Sequence, residues 1–166
     1  MLLIDQKLFY AMLLKTAQFT QILLFCIIAG QAFFYFIGGT AALKNVSAIA
    51  FIEQRKAIDA EIAPYLKVIY PLTIVMSVAM LVLLRQQIGS ALFILSAVAC
   101  LLVVIDMVIA IKGNIPLNQR ISTWPLDAYP GNWHVVRDQW LNYMHYRQFC
   151  GIAGLFCLLV GMIWKP

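Results

Sequence analysis

The spacing of charges restricts this chain more than any other feature. Between Lys15 and Lys44 lie 28 residues with no Asp, Glu, Lys or Arg; between Lys67 and Arg85 lie 17; between Arg85 and Asp106, 20; between Arg147 and Lys165, 17. A helix crossing a hydrocarbon core of about 30 Å needs about 20 apolar residues, with a range of about 17–25. All four runs reach that length. None shows the period-2 alternation of a barrel strand. The chain therefore reads as all-α, an integral membrane four-helix bundle with two long structured connections on one side. Residues 1–166 form a single transmembrane domain with spans at about 18–38, 66–84, 88–111 and 146–164.

Composition agrees. Hydrophobic residues make up 63% of the chain and charged residues 11%, against about 45–50% and about 25% in soluble domains. Disorder, a disulfide scaffold and an ordinary soluble enzyme are excluded. The net charge of +5 suggests loops facing anionic lipid or held inside. Nucleic acid needs a solvated basic stripe with aromatics, and none is present, so membrane lipid is the expected surroundings and nucleic acid is not an expected partner. Cys26, Cys100, Cys150 and Cys157 each sit in an apolar run and read as buried small hydrophobes. The first run follows Asp5, Lys7 and Lys15, too late and too long for a cleaved signal sequence. Residues 1–17 read as an amphipathic lead-in on the membrane surface or a continuation of the first helix.

The connections are unequal. Arg85-Gln86-Gln87 is a tight turn between the second and third spans. The other two connections are long, and with four spans they share one side, forming a polar cap from residues 40–64 and 112–145. Residues 47–62 mix charges with aliphatics as a short amphipathic helix, which Pro64 is expected to end. Pro116, Pro125 and Pro130 keep the middle of the third connection irregular. From Trp133, with Asn132 as a cap, a helix is expected to run to about Trp164. At 1.5 Å per residue its roughly 48 Å exceeds the hydrocarbon core, so its first turns stand clear of the lipid or line a cavity. The long-connection side carries Lys44, Arg55, Lys56, Lys67, Lys112, Arg120, Arg137 and Arg147, against Lys7, Lys15, Arg85 and Lys165 on the other. This bias puts the cap in the cytoplasm of a multi-pass inner or plasma membrane protein.

Chemistry-bearing residues concentrate in the third connection: Trp124, Trp133, Trp140, His134, His145, Asn114, Asn118, Arg120, Arg137 and Arg147. Two readings stand. One is an interfacial belt, since Trp collects at membrane surfaces and Arg snorkels. The other is a polar pocket roofed by aromatics, since a belt has no need of several Asn and Arg together. At about 100° per residue, Trp133, Arg137, Trp140 and Arg147 share one helix face, and His134, Asp138 and His145 another. His134 and His145 are about 16 Å apart along a helix, too far for one metal ion, so no metal site is assigned. Asp106 lies inside the third span, where an ionisable group is a functional candidate; a shallow structural role is the other reading. Gln31 in the first span is a weaker case. No GxSxG, Walker loop, GxGxxG or HExxH motif occurs.

Asn114-Ile-Pro116-Leu-Asn118, then Trp124, then Trp133, Arg137, Trp140, His145 and Arg147 leading into the last span resembles the signature of the anthrone-oxygenase-like family. These are small four-span membrane proteins, mostly uncharacterised bacterial ones. Glu53-Gln54-Arg55 resembles bacterial members more than the fungal enzymes. Fungal members oxidise an anthrone to an anthraquinone with no metal or organic cofactor. The resemblance implies a cofactor-independent monooxygenase acting on a planar aromatic or enolisable molecule. Such chemistry needs a base, a cation for the developing oxyanion and a dry aromatic slot. His145 is the candidate base. Arg137 and Arg147 would hold the enolate, and Asn114 and Asn118 would orient carbonyls. Trp124, Trp133 and Trp140 would sandwich the ring, with Arg120 a further substrate-binding candidate. Glu53 and Arg55 would close the pocket from the first connection. The alternatives are a non-enzymatic membrane subunit docking a partner or a second copy, and a lipid- or quinone-binding module.

Overall fold

The computed structural model describes residues 2–164. The chain is 89% helical with no strand among those residues, and four helices are long and apolar enough to cross a membrane. The all-α membrane bundle read from the charge-free runs is what forms. Helix α1 (Leu2–Phe34) passes through a π-helical turn (Tyr35–Gly39) into α2 (Thr40–Asn45). Val46 and Ser47 reverse the chain, and α3 runs from Ala48 to Leu83. After the turn at Arg85–Gln87, α4 (Ala91–Ile109) continues through a second π turn (Ala110–Asn114) into α5 (Ile115–Ser122). Residues 123–132 are irregular, and α6 spans Trp133–Ile163.

The first connection is therefore not a loop. The amphipathic segment expected to stop at Pro64 is the first half of α3, and both Pro64 and Pro71 lie within the helix. Proline's fixed φ is already helical; what it removes is one N–H and the bond to the carbonyl four residues back. In an apolar medium, breaking the helix would orphan many more backbone groups than that. Ser47 starts α3 by accepting from the Ala50 N–H at 3.2 Å, satisfying one of the free donors of the first turn. Ser90 does the same for α4 through Phe93 N–H at 3.1 Å. Asn132 stands at the start of α6, as expected, but its side chain makes no capping bond.

Both π turns insert a residue into the ladder: Thr40 N–H bonds Tyr35 O, and Ile115 N–H bonds Ala110 O. An i→i+5 step rotates everything beyond it. Glycine makes room at the second, where a Cβ on Gly113 would lie 2.4 Å from the Tyr143 ring.

The buried side chains form three layers along the bundle. At the cap end, Phe51, Ile52, Ile121, Val136, Leu141 and Met144 pack together. In the middle, Phe25, Ile28, Tyr70, Ala99, Val103 and Leu158 meet. At the far end, Leu14, Ala17, Met80, Leu84 and Leu92 close the bundle around the tight turn, and the Tyr10 hydroxyl donates to the Leu83 carbonyl. Close approach of α1 and α6 depends on small residues, as between helices in lipid. Gly154 faces Phe25, where a Cβ would sit 2.7 Å from the ring of a side chain only 1% exposed.

Two outcomes follow from this packing. Cysteines introduced at Gln54 and Gln119, both exposed at the cap, should react with a membrane-impermeant maleimide from the same side, and one at Gln86 from the opposite side. Gly154→Ala should destabilise the bundle by about 1–3 kcal/mol, the usual penalty of overpacking. Thermal unfolding in detergent would measure it, and Phe25→Leu in the same chain should restore part of the loss.

Candidate functional site

An ionisable residue in the third span must find a partner or remain neutral. Asp106, 1% exposed, finds two. Its Oδ1 accepts from Arg147 Nε at 2.7 Å, and its Oδ2 accepts from the Tyr70 hydroxyl at 2.7 Å. Arg147 closes the ring by donating from NH2 to the Tyr70 oxygen at 2.9 Å. Three helices, α3, α4 and α6, are thus tied through one buried cycle. Asn114, delivered by the second π turn, extends it: its Oδ1 accepts from Arg147 NH1 at 3.5 Å, and its Nδ2 donates to the Trp140 carbonyl at 3.0 Å.

Above the cycle lies a cavity of about 380 Å³ between α3 and the α4–α5 helix, reaching α6. That volume is within the range of small-molecule sites. Asn118 is the hub of its upper wall. Its Oδ1 accepts from Trp140 Nε1 at 2.8 Å and from Arg55 NH2 at 3.5 Å, and its Nδ2 donates to Asp59 at 2.5 Å. Arg55 lies over the Trp140 ring, its guanidinium carbon 4.2 Å from the centroid. It also donates to the Tyr35 hydroxyl at 3.3 Å. Ile58, Ile62, Leu66, Met107 and Ile111 supply apolar lining.

Of the residues singled out from sequence, Asn114, Asn118, Trp140, Arg147 and Arg55 come together here. Arg137, Trp133, Trp124, His145, Glu53 and Arg120 do not line this cavity. Arg137 lies over Trp133, 5.0 Å from its ring, and donates to the Lys44 carbonyl at 2.9 Å. It thereby satisfies an open carbonyl in the last turn of α2. Trp133 packs against Phe51 in the cap core, centroids 6.0 Å apart. Trp124 is buried in the same core, its carbonyl accepting from Lys56 at 2.5 Å. His145 is exposed, with Nδ1 3.3 Å from Gln148 Oε1, while Gln148 donates to Thr40 on α2. At about 100° per residue it points some 140–160° away from Trp140 and Arg147, off the cavity side. Glu53 and Arg120 are exposed, because each stands two residues from a cavity-lining partner, Arg55 or Asn118, and two residues turn a helix by about 200°.

Sequence reasoning passed over Tyr70, Asp59, Tyr35 and Lys67, of which Tyr70, Asp59 and Lys67 line the cavity. Asp59 had one available signal: it falls one turn after Arg55 on the same helix face. Gln31 of α1 lines the cavity as well. Among the described residues, no group of three His, Cys, Asp or Glu side chains is arranged to hold a metal ion. Comparison with family models, with curated proteins and with solved structures finds no match.

Asp106→Asn leaves the Arg147 charge buried without its counter-ion. Breaking a buried pair from one side is expected to destabilise by about 3–5 kcal/mol, whereas replacing both members by apolar residues is often neutral. Thermal unfolding should therefore rank the Asp106→Leu/Arg147→Met double variant above Asp106→Asn alone.

Proposed function

We propose that this chain is a multi-pass protein of the inner or plasma membrane, its cap on the cytoplasmic side. In the cavity it oxidises a planar, enolisable aromatic molecule directly with O₂, without metal or organic cofactor. The observation that carries the reading is the convergence of Arg55, Asp59, Asn118 and Trp140 on one wall of an otherwise apolar cavity. Those groups supply a cation, a proton acceptor, a fixed amide and an aromatic face, which is what carbanion oxygenation requires.

The chemistry balances on the chain's own residues and O₂. A ring methylene conjugated through the aromatic rings with a carbonyl loses a proton to the Asp59 carboxylate, and the electron pair delocalises onto the carbonyl oxygen. The carbanion passes electrons to O₂. One oxygen atom becomes the new carbonyl, and the other leaves as water with the two methylene hydrogens. Asp59 takes the base role assigned to His145 from sequence, because Asp59 lines the cavity and His145 does not.

Oxygen uptake by proteoliposomes supplied with anthrone, with the anthraquinone followed by absorbance, tests the proposal. Uptake above protein-free liposomes is expected. Asp59→Asn should lower kcat at least tenfold, about 1.4 kcal/mol in the barrier, and His145→Gln should leave it within twofold. No uptake by the intact protein would reject the oxygenase reading. Ile62, Ile111 and Ile115, exposed at the cavity rim, would then favour the second reading, a lipid- or quinone-binding module, alone, as a homo-oligomer or beside a partner subunit.

A further inference from the structure

The two guanidinium groups of the cavity are not equivalent. Arg147 has a carboxylate at 2.7 Å. Arg55 is just as buried, 5% exposed, yet among the described residues no carboxylate oxygen lies within 4 Å of it. Its NH1 and NH2 reach only neutral oxygens, of Tyr35 at 3.3 Å and Asn118 at 3.5 Å, both long bonds. Its Nε has no hydrogen-bond partner. One face of the group rests on Trp140, which eases its desolvation but does not neutralise it. The nearest acid on the same wall, Asp59, has its Oδ1 taken up by Asn118, so the two charges meet through an amide. Buried charges are normally paired; this one borders a cavity instead.

We infer that the cavity binds its ligand as an organic anion seated on Arg55, and that this ligand is a lipophilic aromatic acid, a planar phenol or enol ionised near neutral pH. The planar fork of a guanidinium suits adjacent oxygens on a flat ring, and Trp140 beneath it presents an aromatic face. Lipophilicity follows from the rim. Ile62, Ile111 and Ile115 are exposed around the cavity, on helices long and apolar enough to cross a membrane. The inference names the substrate class of the proposed oxygenase and rests on the same cavity, but it does not depend on turnover.

A matched pair of probes isolates the charge: 2-hydroxy-1,4-naphthoquinone, an anion at neutral pH, and 1,4-naphthoquinone, neutral on the same ring. Binding is measured by tryptophan fluorescence quenching in phosphatidylcholine nanodiscs, with empty discs as the reference. The intact protein should hold the anion at least tenfold tighter than the neutral quinone. Arg55→Gln should reduce that preference to threefold or less, and Asp59→Asn should increase it by removing the one acid on the wall. Equal affinities in the intact protein would overturn the inference, as would a preference that survives Arg55→Gln. Should Arg55→Gln fail to fold, the intact-protein ratio and Asp59→Asn decide. Tight binding of oleate with none of the hydroxynaphthoquinone would also overturn it, in favour of a fatty-acid site. Anion-selective binding without oxygen uptake from anthrone would leave this inference standing and remove the oxygenase; uptake without anion preference would do the reverse.

Discussion

The closed cycle of Asp106, Arg147 and Tyr70 is the contact on which the rest of the molecule depends. A carboxylate and a guanidinium together in an apolar medium are tolerable only when their geometry is short and their remaining polar atoms are occupied. Here the carboxylate receives both a charged and a neutral donor, and the phenol both gives and accepts. Because the three residues come from α3, α4 and α6, satisfying the charges fixes the mutual height of those helices. Slippage of any one by a turn, about 5.4 Å, would leave a bare charge in the bundle. Apolar packing above and below this level lacks such directionality, since lipid tails compete for the same surfaces.

The cavity exists because the cycle spends its polarity inward. Arg147 and Asn114 look in sequence like ligand-binding groups, but each is largely engaged by the protein. They form a floor. The wall above has Asn118 bonded to Trp140, Arg55 and Asp59, which holds those three side chains in place. Arg55, bounded by neutral oxygens and an indole, is the charge left over.

The bundle was legible because hydrocarbon thickness imposes one rule on every span, and the charge-free runs record it. The start of α6 at Trp133 was legible from the breakers that precede it. The continuity of α3 was not. A proline just before an apolar run reads as a stop in water, where the freed groups would be solvated; beside lipid the helix continues through Pro64 and again through Pro71. The π turns were also hidden, since Gly39 and Gly113 mark a close approach without saying of what. This had consequences for the site. Rotation at the second π turn aims Asn114 at Trp140 and Arg147, and helical phase across a continuous α3 separates Glu53 from Arg55. Helical angles on α6 grouped Trp133, Arg137, Trp140 and Arg147 on one face, of which Trp140 and Arg147 are buried and Trp133 and Arg137 half-buried. They did not show that this face is shared lengthwise, its first turn serving the cap core and only Trp140 and Arg147 reaching the cavity. Depth would have paired Asp106 with Arg147: both stand at the same end of their apolar runs.

The cycle also sets a ruler. Tyr70, Asp106 and Arg147 lie 13, 15 and 16 residues from the far ends of α3, α4 and α6, roughly 20–24 Å at helical rise. A hydrocarbon core of about 30 Å anchored at the tight turn therefore reaches past the cycle to the level of the cavity. Membranes differ in thickness by several Å. In a thin bilayer the cavity mouth meets headgroups and their water; in a thick, sterol-rich one it opens onto acyl chains. Acyl-chain length thus sets whether the side of the bundle next to Arg55 faces water or hydrocarbon, through hydrophobic matching with no change in the protein itself.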